Sequence, residues 1–124
     1  MVENNIFHDL QNNGANPSGG IVLEEPGAAT PKPANVLISG NVFNSGVGMN
    51  IAIFTSDVAT TDISLNNFNN SGYDVYNTTA GVVDASPNWW GSVEGPGSGL
   101  ILGDAETNPW CGDSACSFLI HDVV

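Results

Sequence analysis

Asp62 and Asp84 occupy the same place in two copies of a repeated phrase, Thr61-Asp62-Ile63-Ser64 and Val83-Asp84-Ala85-Ser86. If the copies run side by side as neighbouring strands, the two carboxylates stand about one strand spacing, ~4.8 Å, apart. Like charges directly opposed across a ladder destabilise it, so the pair needs relief. Three kinds of relief are available: splaying into water, a shared proton, or a bound cation. Ca²⁺ takes oxygen ligands of this type, and asparagine or backbone carbonyls nearby would complete its shell. A spacing of about 5 Å is also what a retaining glycosidase needs between acid and nucleophile. Asp74, one strand onward, is a candidate third carboxylate for either use. Trp89 offers a different chemistry, because it takes the outward phase that Val42 and Asn67 hold in other copies, and an outward indole stacks on a sugar ring.

These residues are positioned by the repeat itself. Val36-Leu37-Ile38-Ser39-Gly40-Asn41-Val42-Phe43-Asn44 returns as residues 61–69 and again as 83–91, with a degenerate first copy at Val2-Glu3-Asn4-Asn5-Ile6-Phe7-His8. Each copy carries an asparagine with an aromatic two residues later, and the asparagines at 41, 66 and 88 are 25 and 22 residues apart. Periods of this length are those of stacked repeats. Within a copy the alternation reads as strand, with Thr61 and Ile63 on one face and Asp62 and Ser64 on the other. A glycine-containing turn and a second apolar stretch follow: Ile21 to Leu23, Ile51 to Phe54, and Tyr73 to Tyr76. An antiparallel sandwich would not place one residue type at one offset in every unit, whereas parallel coils would. In such coils Asn41, Asn66 and Asn88 form a ladder of side-chain amides, and Phe7, Phe43, Phe68 and Trp90 an interior aromatic column.

With 124 residues the chain holds one domain, and it can bury a core only by stacking its units. Thirteen acidic residues face one Lys or Arg, Lys32, for a formal charge of −12. Phosphate contacts need cations, so a nucleic-acid partner is excluded, and an anionic membrane surface is disfavoured in the same way. No apolar run approaches the ~20 residues of a membrane span, and no signal peptide is visible. Met1 falls inside the degenerate first copy, so the start reads as a cut through a rung, with any export signal upstream. Residues 23–34 hold three prolines and read as a loop projecting between rungs. Residues 98–124 read as an irregular cap that covers the last rung and shields its edge.

Cys111 and Cys116 are the only cysteines. Their spacing permits a small disulfide loop, worth on the order of 2 kcal/mol, which implies an oxidising compartment. A metal pair would need two further ligands, with only His8 and His121 to draw on, and two free thiols are the third reading.

The repeat Ile-Ser-x-Asn-x-Phe-Asn, closing in Asn88-Trp89-Trp90-Gly91-Ser92 and Gly95-Pro96-Gly97, resembles the right-handed parallel β-helix proteins of the pectate-lyase-like superfamily. More narrowly it resembles the C-terminal rungs of their secreted or cell-surface members. The resemblance covers roughly residues 2 to 97, and Asn108-Pro109-Trp110-Cys111 through Cys116 is similar to the terminal segment of that family. It implies an all-β right-handed solenoid of about four rungs over residues 1–97 with a C-terminal cap, located outside the cell, at its surface or in a periplasm. It also implies polysaccharide or a surface glycan as the partner class.

A lyase of that superfamily uses arginine beside Ca²⁺, and this chain has no arginine. A hydrolase of the polygalacturonase kind adds a histidine to its aspartates, and His8 and His121 lie at opposite ends of the repeat. The reading is therefore a non-catalytic structural and ligand-presenting module. The alternative is a carbohydrate-active enzyme whose outward face uses Asp62, Asp74 and Asp84, or part of one whose site lies in further rungs. The open N-terminal rung is expected to meet preceding rungs or an oligomer partner. Asn69-Asn70-Ser71 and Asn77-Thr78-Thr79 match the glycosylation acceptor pattern.

Overall fold

The computed structural model describes residues 1–10, 19–24, 33–46, 49–54, 57–69, 73–97 and 100–121. Most of the proline-rich loop, including Lys32, lies outside the described residues. In chain order the strands are β1 (Val2–Glu3), β2 (Ile6–Leu10), β3 (Gly19–Leu23), β4 (Leu37–Ser39), β5 (Val42–Gly46), β6 (Met49–Ile53) and β7 (Asp62–Ser64). They continue with β8 (Asn67–Asn69), β9 (Tyr73–Asn77), β10 (Val83–Asp84), β11 (Ile101–Leu102), β12 (Ala105–Glu106), β13 (Trp110–Cys111) and β14 (Leu119–Ile120). One short 3-10 helix, Val58–Thr60, precedes β7.

β1 to β12 form three parallel sheets, and the repeat explains why. The first sheet has the order β1-β4-β7-β10-β12, the second β2-β5-β8, and the third β11-β9-β6-β3. The first three copies of the phrase therefore supply one strand to the first sheet and the next strand to the second, the fourth supplies β10 and a single bridge at Trp89, and the later apolar stretches go to the third. Register follows the sequence offset: Ile38 pairs with Ile63, Phe43 with Phe68 and Ile51 with Val75. Alternating side chains then separate cleanly, so Ile63 is buried while Asp62 is exposed.

One core is shared by all three sheets. Ile38, Ile63 and Val83 enter it from the first, Phe43, Phe68 and Trp90 from the second, and Ile21, Ile51, Ile53 and Val75 from the third. Phe43 and Phe68 stack with centroids 5.1 Å apart, and Phe68 and Trp90 with centroids 4.9 Å apart. The side chain of Phe7 lies outside the described residues, though its backbone pairs with Phe43.

The turn between the first and second sheets recurs as well. The residue before the ladder asparagine has a left-handed backbone at Asn4 (φ 58°), Gly40 (φ 69°) and Leu65 (φ 58°). Asparagine and glycine tolerate that conformation, but at Leu65 it carries strain. At the fourth turn the position is Pro87, whose ring fixes a negative φ.

The rungs were expected to end at Gly97, yet ladder pairing continues beyond it. β11 pairs with β9 and β12 with β10, both in parallel. A turn at Gly103 (φ 87°) joins them, and a Cβ there would collide with the carbonyl of Asn77. The irregular cover therefore begins after Glu106. It consists of the antiparallel pair β13–β14 and the loop closed by the Cys111–Cys116 disulfide. Asp113 braces that loop by accepting from Ser117 N–H at 2.8 Å and from the Ser117 hydroxyl, bonds that hold its carboxyl below the usual carboxylate range.

Candidate functional site

The outer column of the first sheet contains the paired carboxylates. Asp62 of β7 is the register partner of Asp84 in β10, and Asp84 is in turn the partner of Glu106 in β12. All three side chains are exposed. Asp84 Oδ1 accepts from the Ser86 N–H at 3.2 Å and the Ser86 hydroxyl at 2.9 Å, which turns it along its own strand. Among the described residues no group of three or more His, Cys, Asp or Glu side chains is gathered closely enough to hold a metal ion. Exposure to water screens the repulsion within this column.

Asp74 does not join that face. It lies on the third sheet and is wholly buried. Its Oδ1 accepts from Asn50 Nδ2 at 2.8 Å, while Oδ2 has no hydrogen-bond partner among the described residues. Burial pushes its pKa from the ordinary 3.8 up to about 8, and the Asn50 bond opposes that rise only in part. A three-carboxylate face made of Asp62, Asp74 and Asp84 is thus absent from the fold. Asn50, unremarked as a site residue in the sequence, is the partner that keeps Asp74 inside. A signal existed, since Met49-Asn50-Ile51 and Tyr73-Asp74-Val75 align with a short polar residue at the same offset.

The asparagines lie opposite the acidic column, in the interior. Asn41, Asn66 and Asn88 are buried, and Asn41 donates from both its backbone N–H and its side-chain amide to Asn66 Oδ1, each at 3.0 Å. Asn66 donates in the same two ways to Asn88 Oδ1, at 2.9 and 3.0 Å. Asn5 does likewise toward Asn41. The remaining amide protons reach main-chain carbonyls: Asn41 to Val2, Asn66 to Ile38 and Asn88 to Ile63. Every ladder amide is therefore satisfied, which is the condition for burying it at all.

Trp89 bridges to Asn67, which pairs with Val42, on the face of the second sheet opposite the stacked rings. It is half-buried. The disulfide loop borders the same column, since Asn67 Nδ2 points to the Ser114 carbonyl at 3.5 Å and Cys111 N–H donates to Asn88 O at 2.9 Å. Of the two acceptor patterns, Asn77 is buried with its amide donating to Gly81 O and Asp104 O, so it is no glycosylation acceptor in the folded chain. Asn69 is exposed, and the rest of its pattern lies outside the described residues.

A shallow cavity of about 600 Å³ opens beside the 3-10 helix, lined by Ala34, Asp57, Val58, Thr79 and Gly81. No helix among the described residues is long and apolar enough to cross a membrane. Compared with known protein families, curated proteins and solved structures, the chain gives no match.

Proposed function

We propose that these residues are rungs of a right-handed parallel β-helix, belonging to an extracellular, cell-surface or periplasmic protein, that act as a non-catalytic scaffold presenting a glycan-binding face. The observation that carries the scaffold reading is the register. An asparagine and an aromatic at fixed offsets meet their counterparts in three successive copies of the phrase, as coils of a solenoid require. The disulfide supports a location in an oxidising compartment. β1, β2 and β3 are the end strands of their sheets on one side, and a further parallel rung, from the same chain or another, is the neighbour that would continue them.

Trp89 is the proposed sugar platform, its indole face packing on a pyranose. The charge of −12 narrows the ligand to a neutral or amino-bearing glycan, because a polyuronate would meet repulsion with almost no cation to offset it. Binding measured against a panel of neutral, amino and uronic polysaccharides tests this. Retention of neutral or amino polymers, weakened about tenfold or more by Trp89→Ala at unchanged melting temperature, is the expected result. Equal binding by the variant removes Trp89 from the reading.

The pairing of Asp62 with Asp84 favours one other reading, a polysaccharide hydrolase or a lyase-like enzyme on the acidic face. Release of reducing ends or unsaturated uronates, abolished by Asp84→Asn, would establish it in place of the module.

A further inference from the structure

Asp74 combines two features that no other described residue shares. Its carboxyl is wholly buried with one oxygen unpartnered, and its backbone lies where the third sheet is thinnest. On one side β9 is paired with β6 along five residues, from Met49 opposite Tyr73 to Ile53 opposite Asn77. On the other side it is paired only with the two-residue β11. Among the described residues the entry to β11 is held by the carbonyl of Leu100, which accepts from the N–H of Asp74 at 2.7 Å and of Val75 at 3.3 Å.

We propose that the Asp74 carboxyl is a proton-operated latch on the last strand of the third sheet: protonated, it lets β11 dock on β9, and ionised, it releases β11. A neutral carboxyl tolerates burial with one hydrogen bond, whereas an unpaired buried anion does not. Water reaching Oδ2 relieves the anion, and undocking two residues admits water at lower cost than breaking the longer ladder with β6. Among the described strands that pair around it, Asp74 carries the only carboxyl. β6 (Met49–Ile53), β11 (Ile101–Leu102) and Leu100 contain no titratable side chain, and β9 adds only the phenols of Tyr73 and Tyr76. A carboxyl pushed up to about 8 by burial places the release in mildly alkaline water.

Amide hydrogen exchange at Asp74 and Val75, followed by NMR from about pH 6 to about pH 9, tests the latch. After correction for intrinsic exchange, protection in the wild-type protein should fall by up to about tenfold per pH unit, while the β6 amides keep theirs. In Asp74→Asn protection should be flat with pH. Parallel profiles in the two proteins, or loss at β6 in step with β9, would overturn the proposal. A second reading needs no variant: the ¹³Cγ shift of Asp74 in the wild-type chain must titrate with a midpoint above about pH 6, and a lower midpoint overturns the latch.

Discussion

The ladder asparagines and Asp74 are all buried to the same degree, but their surroundings solve the problem of a buried polar group in opposite ways. Asn66 sits between two copies of itself, so each amide finds a donor on one side and an acceptor on the other. Asp74 has a different neighbour on each side, Asn50 in one strand and the backbone of Leu100 beyond the other, and one oxygen is left over. A repeated polar residue obtains its partners from the repetition. A residue that occurs once must recruit partners individually, and where it falls short, its protonation state becomes part of the stability of the fold.

Five measurements would break or sharpen that contrast. The largest effect is expected from Asn66→Ala, which strands donors and acceptors in both neighbouring copies and should cost about 3–5 kcal/mol in denaturant unfolding, with little dependence on pH. A loss under about 1 kcal/mol would mean the ladder is not holding the copies together. Second comes the pH profile. The folded Asp74 holds its proton to about pH 8, against 3.8 for an ordinary aspartate, so between those values the unfolded chain binds fewer protons than the folded one. Stability should therefore be highest below about pH 4 for this group and fall by up to about 1.4 kcal/mol per unit as pH rises, levelling above about 8. Asp74→Asn should flatten that slope, and an unchanged slope would assign it to other groups.

A smaller effect is expected at Leu65, which is exposed and holds a left-handed backbone. Leu65→Gly should stabilise by up to about 1 kcal/mol, because relief of strain exceeds the added chain entropy. Smallest of all is the exposed column. Asp62→Asn removes one of two facing carboxylates and should raise stability by about 0.5 kcal/mol at low ionic strength, an increment that added salt erases. Addition of a chelator should leave the melting temperature unchanged, and a drop would point to a cation between Asp62 and Asp84.

What was legible beforehand follows the same division. Asn41, Asn66, Asn88, Phe43, Phe68 and Trp90 could be placed because each occurs at one offset in successive copies, and stacking in register makes an offset into a contact. Asp62 and Asp84 were legible as neighbours for the same reason. Asp74 was not, because alternation counted along Tyr73-Asp74-Val75-Tyr76 cannot show that both Asp74 and Val75 are buried. The extent of the parallel pairing was also hidden. β11 and β12 lack the Asn-x-Phe phrase, and they are held by parallel pairing and by the turn at Gly103, whose fit against Asn77 is a matter of three-dimensional clearance.

The ladder has one more consequence, because it has a sense. The side-chain carbonyls of Asn41, Asn66 and Asn88 each accept from the preceding copy, and the amides of Asn5, Asn41 and Asn66 each donate to the following one, so the top of one unit matches the bottom of the next. A tandem duplication of one unit of 22 or 25 residues would therefore insert itself between existing copies and meet on both sides the contacts it already makes. Length in such a chain can change in whole units without redesigning either end, and the gene can explore taller and shorter scaffolds by recombination alone.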